Sequence, residues 1–179
     1  MGEFIRPQDL PSDHFQVKLH LERYNFAASH IKGNVVANAA CSCNYGYPIL
    51  KQDGRLVVGF DRNDSALALA TSDGFDLFVK KDIQGYDFDG FTSLVCLETF
   101  EHLERPWDFI DGLSGSVTEL VLSTPVIPTK HFNEWHLHDF TTEQVCDGLQ
   151  ERGWSIVERK FQDEPGLDKP TYIIVYAQR

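Results

Sequence analysis

The feature that most constrains the fold is a pair of short apolar runs, each followed by residues suited to a ligand. Residues 35–37 lead into a turn of small residues at 40–46, and residues 56–60 end at Asp61. Small side chains at a strand end let a ligand approach the backbone, and glycine or asparagine tolerates positive φ there. This layout is typical of nucleoside-binding open α/β sheets, although the glycine pattern is incomplete.

Length and charge limit the class of protein. The 179 residues suit one domain over residues 1–179, with an irregular arm at residues 1–11. No segment is long and apolar enough to span a membrane, and the N-terminus lacks a signal-peptide core, so we expect a cytoplasmic protein. Sixteen Lys and Arg against 27 Asp and Glu give a formal charge of −11, which argues against tight non-specific binding of nucleic acid.

Cysteine and histidine spacing indicates no metal site. The four cysteines form neither a paired zinc pattern nor a dense disulfide framework, and Cys41 and Cys43 are interpreted as small residues of the turn. Five histidines show no metal-ligand spacing with one another or with the cysteines: His14, His20, His30, His131 and His138. The sequence therefore predicts that no metal is bound.

Helical and strand-like patterns alternate along the chain. An apolar stripe from Val17 to Ile31 predicts a first helix, capped by Ser12 or Asp13 and ended by Gly33. Asn63 or Asp64 is expected to cap a helix after the second strand. Five strands are predicted at residues 35–37, 56–61, 75–79, 92–97 and 119–122.

The C-terminal part predicts one more helix and a hairpin. Thr141 and Gln144 form a capping box for a helix that runs to about Arg152. The β-rich runs 154–161 and 171–177 predict an antiparallel hairpin. Together the patterns predict a three-layer α/β/α domain.

Five blocks of sequence carry a family resemblance, at residues 20–24, 40–46, 57–61, 97–103 and 122–125 with 133–136. In this order and spacing the chain resembles the class I S-adenosylmethionine-dependent methyltransferases, from about His20 to its end. It is most similar to their small-molecule and ubiquinone-biosynthesis-like branch. The resemblance implies a Rossmann-like α/β/α sandwich whose seven-stranded sheet is mostly parallel and has an antiparallel seventh strand.

The resemblance also implies S-adenosylmethionine as the cofactor, with its methionine part along the turn at 40–46. Asp61 would accept hydrogen bonds from both ribose hydroxyls. Asp82 would accept from the adenine amino group beside Ile83, and Glu98 would lie near the sulfonium. The cofactor-binding residues implied in this way are Asn38, Ala40, Ser42, Asn44, Tyr45, Gly46, Asp61, Asp82, Ile83, Leu97 and Glu98.

The turn departs from the family pattern at three positions. Asn38 stands where family members usually have aspartate, and Ser42 and Asn44 stand where they have glycine. Asn44 tolerates positive φ, whereas Ser42 adds a Cβ and a hydroxyl where the cofactor should contact bare backbone. We expect these changes to weaken cofactor binding more than they disturb the fold.

His102 and His136 are the candidate catalytic bases, because an imidazole titrates near neutral pH. The alternative for His102 and the neighbouring Glu101 is structural: they open the helix after strand 4, where the helix dipole favours an acid. Methyl transfer is a displacement on an activated sulfonium, so positioning can supply much of the rate and no base is obligatory.

Two classes of function follow from the sequence. The first is a methyltransferase that acts on a small-molecule acceptor; residues 97–100 lack the Pro-Pro-aromatic loop of DNA amino-methyltransferases. The second is a catalytically lapsed protein on the same scaffold, serving as a binding or assembly module such as a viral structural protein. The exposed edge of the hairpin makes association into a homo-oligomer a further expectation.

Overall fold

The computed structural model describes residues 9–11, 13–72 and 77–179. Its helices are α1 (Phe15–His30), α2 (Tyr47–Leu50), α3 (Asp64–Ser72), α4 (Pro106–Asp111) and α5 (Thr142–Glu151). Its strands are β1 (Val35–Ala39), β2 (Leu56–Asp61), β3 (Phe78–Lys80), β4 (Ser93–Leu97), β5 (Glu119–Pro125), β6 (Ser155–Gln162) and β7 (Tyr172–Gln178). Short 3₁₀ helices lie at Gln52–Gly54 and Phe100–His102.

One sheet joins all the described strands in the order β3-β2-β1-β4-β5-β7-β6. Strands β1 to β5 pair in parallel, whereas β7 is antiparallel to both β5 and β6. The predicted mostly parallel seven-stranded sheet with a C-terminal antiparallel hairpin is therefore confirmed. From β1 the chain adds β2 and β3 on one side of the sheet and then crosses to add β4 and β5 on the other side. Open α/β sheets bind ligands outside the carboxyl ends of the two strands at such a crossing point, here β1 and β4.

Alternate residues of the central strands pack into two separate cores. Leu120 and Leu122 of β5 face a large cluster that includes Phe100, Phe109 and Leu149. Val121, between them, faces a second cluster formed with α1 and α2. Because successive strand side chains point to opposite faces, this alternation is that of a sheet covered on both sides. The three-layer arrangement follows from it.

Side chains cap the N-terminal ends of α1, α3 and α5. The predicted capping box of α5 is present, with Thr141 and Gln144 exchanging side-chain to backbone hydrogen bonds. Asn63, one of two predicted caps, accepts from the backbone of the first turn of α3. The predicted cap of α1 that the structure describes, Asp13, was wrong: His14 caps the helix, its Nδ1 accepting from Gln16 N at 3.3 Å. Aromatic stacking on Phe15 holds the His14 ring over the helix end.

Some predictions fall partly outside the described residues. These are most of the N-terminal arm (residues 1–8), Ser12 as a cap, and the start of strand 3 (residues 75 and 76). Among the described residues strand β3 begins later than predicted, at Phe78, and β5 continues to Pro125. No helix of the described part is both long and apolar enough to cross a membrane.

Candidate functional site

The turn after β1 keeps an unusual backbone without glycine. Ala40, Ser42 and Asn44 all have left-handed φ, at 50°, 54° and 56°. Each such residue costs about 1–2 kcal/mol when it carries a Cβ, and asparagine costs least. A turn that places every second residue in this region, without glycine at any of them, is held there by its surroundings.

Hydrogen bonds from the sheet provide that support. Cys41 N donates to Phe60 O at 2.9 Å, and Asn44 N donates to Cys41 O at 2.8 Å. Asn38 is buried and donates through Nδ2 to Asn44 Oδ1 at 3.2 Å. The amide that replaces the usual carboxylate is therefore used inside the protein, where it holds the turn from the strand below.

Asp61 links the turn to the next strand. Its Oδ2 accepts from Ser42 N at 2.8 Å, and its Oδ1 accepts from Asn63 N at 2.8 Å. The capping of α3 is done by Asn63, so helix capping does not explain Asp61. A carboxylate offers about four acceptor sites, so two remain for a ligand after these two backbone contacts.

Ser42 and Cys41 occupy the turn as neutral groups. The Ser42 hydroxyl is buried and has no hydrogen-bond partner among residues 9–11, 13–72 and 77–179. Burial raises the pKa of the Cys41 thiol, and the nearby Asp61 adds to the rise, so the thiol stays protonated. Both cysteines of the turn are buried thiols, which agrees with their interpretation as small residues.

The residues predicted to flank adenine lie at the neighbouring strand end. Asp82 is half exposed, and its Oδ1 accepts a hydrogen bond from Gln84 N at 3.0 Å within the same loop. It also lies 3.4 Å from the guanidinium of Arg62, the residue after Asp61. Ile83 is buried in the larger core cluster.

A buried polar group lies between the turn and β4, and the sequence did not single it out. Arg23 of α1 is fully buried, and its Nε lies 3.4 Å from Glu98 Oε1. Its guanidinium also stacks over the Tyr172 ring at 4.3 Å. None of its three nitrogens has a hydrogen-bond partner in the part of the chain that the structure describes. The only signal in the sequence was its place in the block at residues 20–24.

Glu98 and Tyr45 complete this group. Glu98 follows β4 with φ of 48°, and its Oε1 accepts from Ser123 Oγ at 2.7 Å. The Tyr45 hydroxyl contacts Nδ1 of His20, and burial lowers the pKa of His20 to about 3, so that imidazole is neutral. Leu97 is half-buried against the α1 side of the sheet, and Gly46 is packed so tightly that an added Cβ would lie 2.1 Å from the Tyr24 ring.

The candidate bases His102 and His136 come together at the end of β4, with ring centroids 4.7 Å apart. The prediction that Glu101 and His102 open the following helix was wrong, because they lie in the separate 3₁₀ turn and α4 begins at Pro106. The segment after β5 is fixed to this turn, since Leu137 N and His138 N donate to Glu101 O at 2.8 and 3.2 Å.

Glu101, His102 and His136 also form a group able to hold a metal ion, with one ligand atom from each lying within 4.8 Å of the others. Sequence spacing predicted no metal site, because it cannot show that His136, from the segment after β5, folds onto the turn after β4. The arrangement is therefore a candidate site that the sequence missed.

Two surface cavities lie away from these residues. One, of about 460 Å³, is lined by the end of α1 together with Gln52 and Arg55. The other, of about 430 Å³, lies between the start of α5 and β6. Neither cavity is lined by a predicted site residue, so the candidate site lies outside both.

The fold is shared with known proteins. The chain matches a SAM-dependent methyltransferase from Archaeoglobus fulgidus with a TM-score of 0.72 and 16% identity, over 92% of this chain and 94% of that one. It matches magnesium protoporphyrin IX methyltransferase from Synechocystis PCC 6803 with bound SAH, with a TM-score of 0.72 and 17% identity, over 100% and 90% of the two chains. It also matches the 4+2 cyclase SpnF with a TM-score of 0.69 and 12% identity, over 91% of this chain and 81% of that one.

No protein-family model matches the sequence, and neither does any curated protein. The structural matches establish that this chain has the class I S-adenosylmethionine-dependent methyltransferase fold. Because these identities are below 20% and one of the matches is a cyclase, the fold by itself does not assign a reaction.

Proposed function

We propose that this protein is an S-adenosylmethionine-dependent methyltransferase that acts on a small-molecule acceptor in the cytoplasm. The observation that carries the proposal is the turn after β1, which keeps three left-handed residues, none of them glycine, against the Asp61 carboxylate. Strain of this kind persists only where the surrounding structure maintains it, and it clusters at ligand-binding sites.

The buried groups beside the turn fit the parts of the cofactor. The Arg23 guanidinium lacks a hydrogen-bond acceptor among the described residues, and a planar fork of donors matches a carboxylate such as that of the methionine part. Asp61 keeps acceptor capacity for the ribose hydroxyls. Glu98 and the Tyr45 ring give the acidic and aromatic surroundings that suit a sulfonium cation.

The cofactor supplies a methyl group activated on a positively charged sulfur. Glu98 would hold the sulfonium in place, while Arg23 would bind the carboxylate of the methionine part. His102 Nδ1 lies 2.9 Å from the Trp135 carbonyl oxygen, so Nδ1 is the donor, and in the neutral ring Nε2 carries the lone pair. An imidazole in this tautomer can take a proton from an acceptor hydroxyl.

The surface beside these histidines favours a small, partly apolar acceptor. Phe132, Trp135 and Leu137 are large apolar side chains exposed on the segment that carries His136. The formal charge of −11 opposes a polyanionic acceptor such as nucleic acid. We infer an uncharged or cationic molecule with an apolar face.

The alternative is a catalytically lapsed protein that uses the same scaffold for binding or assembly. The observation that favours it is that Asn44 and Cys43 of the turn are completely buried, so the protein's own side chains fill the space beneath it. In that case the turn would be held only by internal contacts.

Calorimetry distinguishes the active methyltransferase from the lapsed protein. We expect wild-type protein to bind S-adenosylmethionine and S-adenosylhomocysteine, Asp61→Asn to bind both weakly, and Asp64→Asn to bind like wild type. Asp64 is a matched control because it is an exposed aspartate in the next helix, paired only with Lys80 among the described residues. Absence of binding by folded wild-type protein at millimolar cofactor would refute the enzyme proposal and leave the scaffold.

A further inference from the structure

The Glu101 carboxyl group is buried where a cation would stabilise its charged form. Its side chain is about 2% exposed, and its Oε2 accepts from Thr124 Oγ1 at 3.0 Å. A buried carboxyl is retained at low cost when it is neutral or when it binds a positive charge.

The His102 ring is oriented so that a lone pair faces that carboxyl. Its Nδ1 lies 2.9 Å from the Trp135 carbonyl oxygen, which can only accept, so Nδ1 must carry a proton. Its Nε2 lies 3.9 Å from Glu101 Oε1. A neutral imidazole nitrogen and a carboxylate oxygen repel each other unless a proton or a cation lies between them.

His136 brings a second imidazole to the same place. Its Nδ1 lies 2.5 Å from the hydroxyl of Thr129, and its ring meets His102 edge to face. Thr129 is buried and is held in turn by Asp139, which accepts from Thr129 N at 2.7 Å. Ligating histidines almost always use their other ring nitrogen in such a contact, because it fixes the tautomer and the ring orientation.

We propose that Glu101, His102 and His136 bind one divalent first-row transition ion of the Mn²⁺ to Zn²⁺ series. Such ions bind well to two imidazoles and a carboxylate, whereas Mg²⁺ and Ca²⁺ take mainly oxygen ligands. Three protein ligands leave coordination positions open, as in catalytic rather than structural sites. The binding site itself does not depend on the methyltransferase assignment.

The ion's role rests on the proposed function. Glu101 interacts electrostatically with Glu98, the residue proposed to lie beside the sulfonium, so an ion there would bind the acceptor's hydroxyl and lower the pKa of that hydroxyl. The hydroxyl proton leaves to solvent water, the oxygen forms a bond to the methyl carbon, and the carbon–sulfur bond breaks with its electron pair going to sulfur. His102 and His136 then act as ligands, and the step needs no other base.

Calorimetric titration with Zn²⁺ and, separately, Mn²⁺ tests the site on chelator-treated full-length protein. We expect one ion per chain, with affinity reduced about 10- to 100-fold or more in His102→Ala and His136→Ala. Glu101→Gln keeps the side-chain shape and should also weaken binding, and circular dichroism confirms that each variant is folded. His131→Ala is the matched control, an exposed histidine of the same segment that lies outside the group.

Three results would overturn the proposal: no binding by wild type, wild-type affinity in all three ligand variants, or an equal loss in His131→Ala. S-adenosylhomocysteine titrated into the same proteins separates this proposal from the proposed function. Cofactor binding without ion binding rejects the metal site alone. Ion binding without cofactor binding keeps the metal site and rejects the methyltransferase.

Discussion

Ser42 donates its backbone N–H to Asp61 Oδ2 at 2.8 Å, so the turn after β1 and the carboxylate that ends β2 form one hydrogen-bonded unit. The contact holds Ser42 at a φ of 54°, which a serine rarely adopts. The proposed ribose acceptor and the strained turn are therefore not independent, and a change at either should affect the other.

Replacing Ser42 by glycine should stabilise the protein. Glycine adopts this φ without strain, and the change also removes a buried hydroxyl that lacks a partner among the described residues. We expect the free energy of unfolding in urea to rise by about 1 kcal/mol, after allowance for glycine's greater freedom in the unfolded chain. Ser42→Ala removes the hydroxyl but keeps the Cβ, so it should gain less. A glycine variant no more stable than the alanine variant would show that the strain costs little.

Arg23→Met should discriminate between two ligands. The proposed contact is to the cofactor carboxylate, and a charge-assisted hydrogen bond contributes about 1.5–3 kcal/mol. Affinity for S-adenosylhomocysteine, measured by calorimetry, should therefore fall about 10- to 100-fold. Affinity for 5′-methylthioadenosine, which has the nucleoside and thioether but no amino acid, should be unchanged. Equal losses for both ligands would mean that Arg23 supports the site as a whole.

Glu119 should make stability depend on pH. Its carboxylate is buried and accepts hydrogen bonds from Lys32 N, Gly33 N, Ser93 Oγ and the Tyr176 hydroxyl. Burial opposes ionisation, but these donors outweigh it and hold the carboxyl pKa below its usual 4.5. A carboxyl whose pKa is depressed by folding stabilises the protein above the unfolded pKa and loses that contribution as pH falls through the folded value.

Glu119→Gln should consequently lower the free energy of unfolding at pH 7 by about 1–3 kcal/mol, since glutamine cannot accept from all these donors. The difference from wild type should shrink as pH falls below 4.5, which urea unfolding at a series of pH values would measure. A difference that is constant with pH would show that the charge of Glu119 does not contribute.

Gly46→Ala should destabilise the protein at the end of the turn after β1. An added Cβ would lie 2.1 Å from the buried Tyr24 ring, so α1 or the turn must move. Overpacking of this kind costs about 1–3 kcal/mol, which thermal unfolding would detect. Gly115→Ala is the control, because among the described residues nothing beyond its two chain neighbours lies within 4 Å of the added Cβ. The stability of this variant should equal that of wild type within about 0.5 kcal/mol.

Much of the fold could be predicted from local patterns. The apolar run before Asp61, the Thr141–Gln144 capping box and the two β-rich runs at the C-terminus each specify their element from neighbouring residues, and all are found where expected. Boundaries were less accurate. His14 rather than Asp13 caps α1, and its ring also stacks on Phe15.

The predicted site residues lie largely at the carboxyl ends of β1, β2 and β4, as the strand order requires. The role of Asn38 could not be predicted, because its partner Asn44 is reached only when the turn folds back over the strand. Arg23 was also missed as a site residue. Its contacts with Glu98 and Tyr172 join α1 to β4 and β7, which lie far apart in the chain.

The sequence by itself determined the alternation of strands and helices, the C-terminal hairpin and the small-residue turn, because each depends on residues close together in the chain. Only the tertiary structure decided that the turn stays left-handed without glycine, that Arg23 is buried beside Glu98, and that His136 meets Glu101 and His102. These relationships depend on which strand ends the sheet brings together, and that order is set by packing across the whole domain.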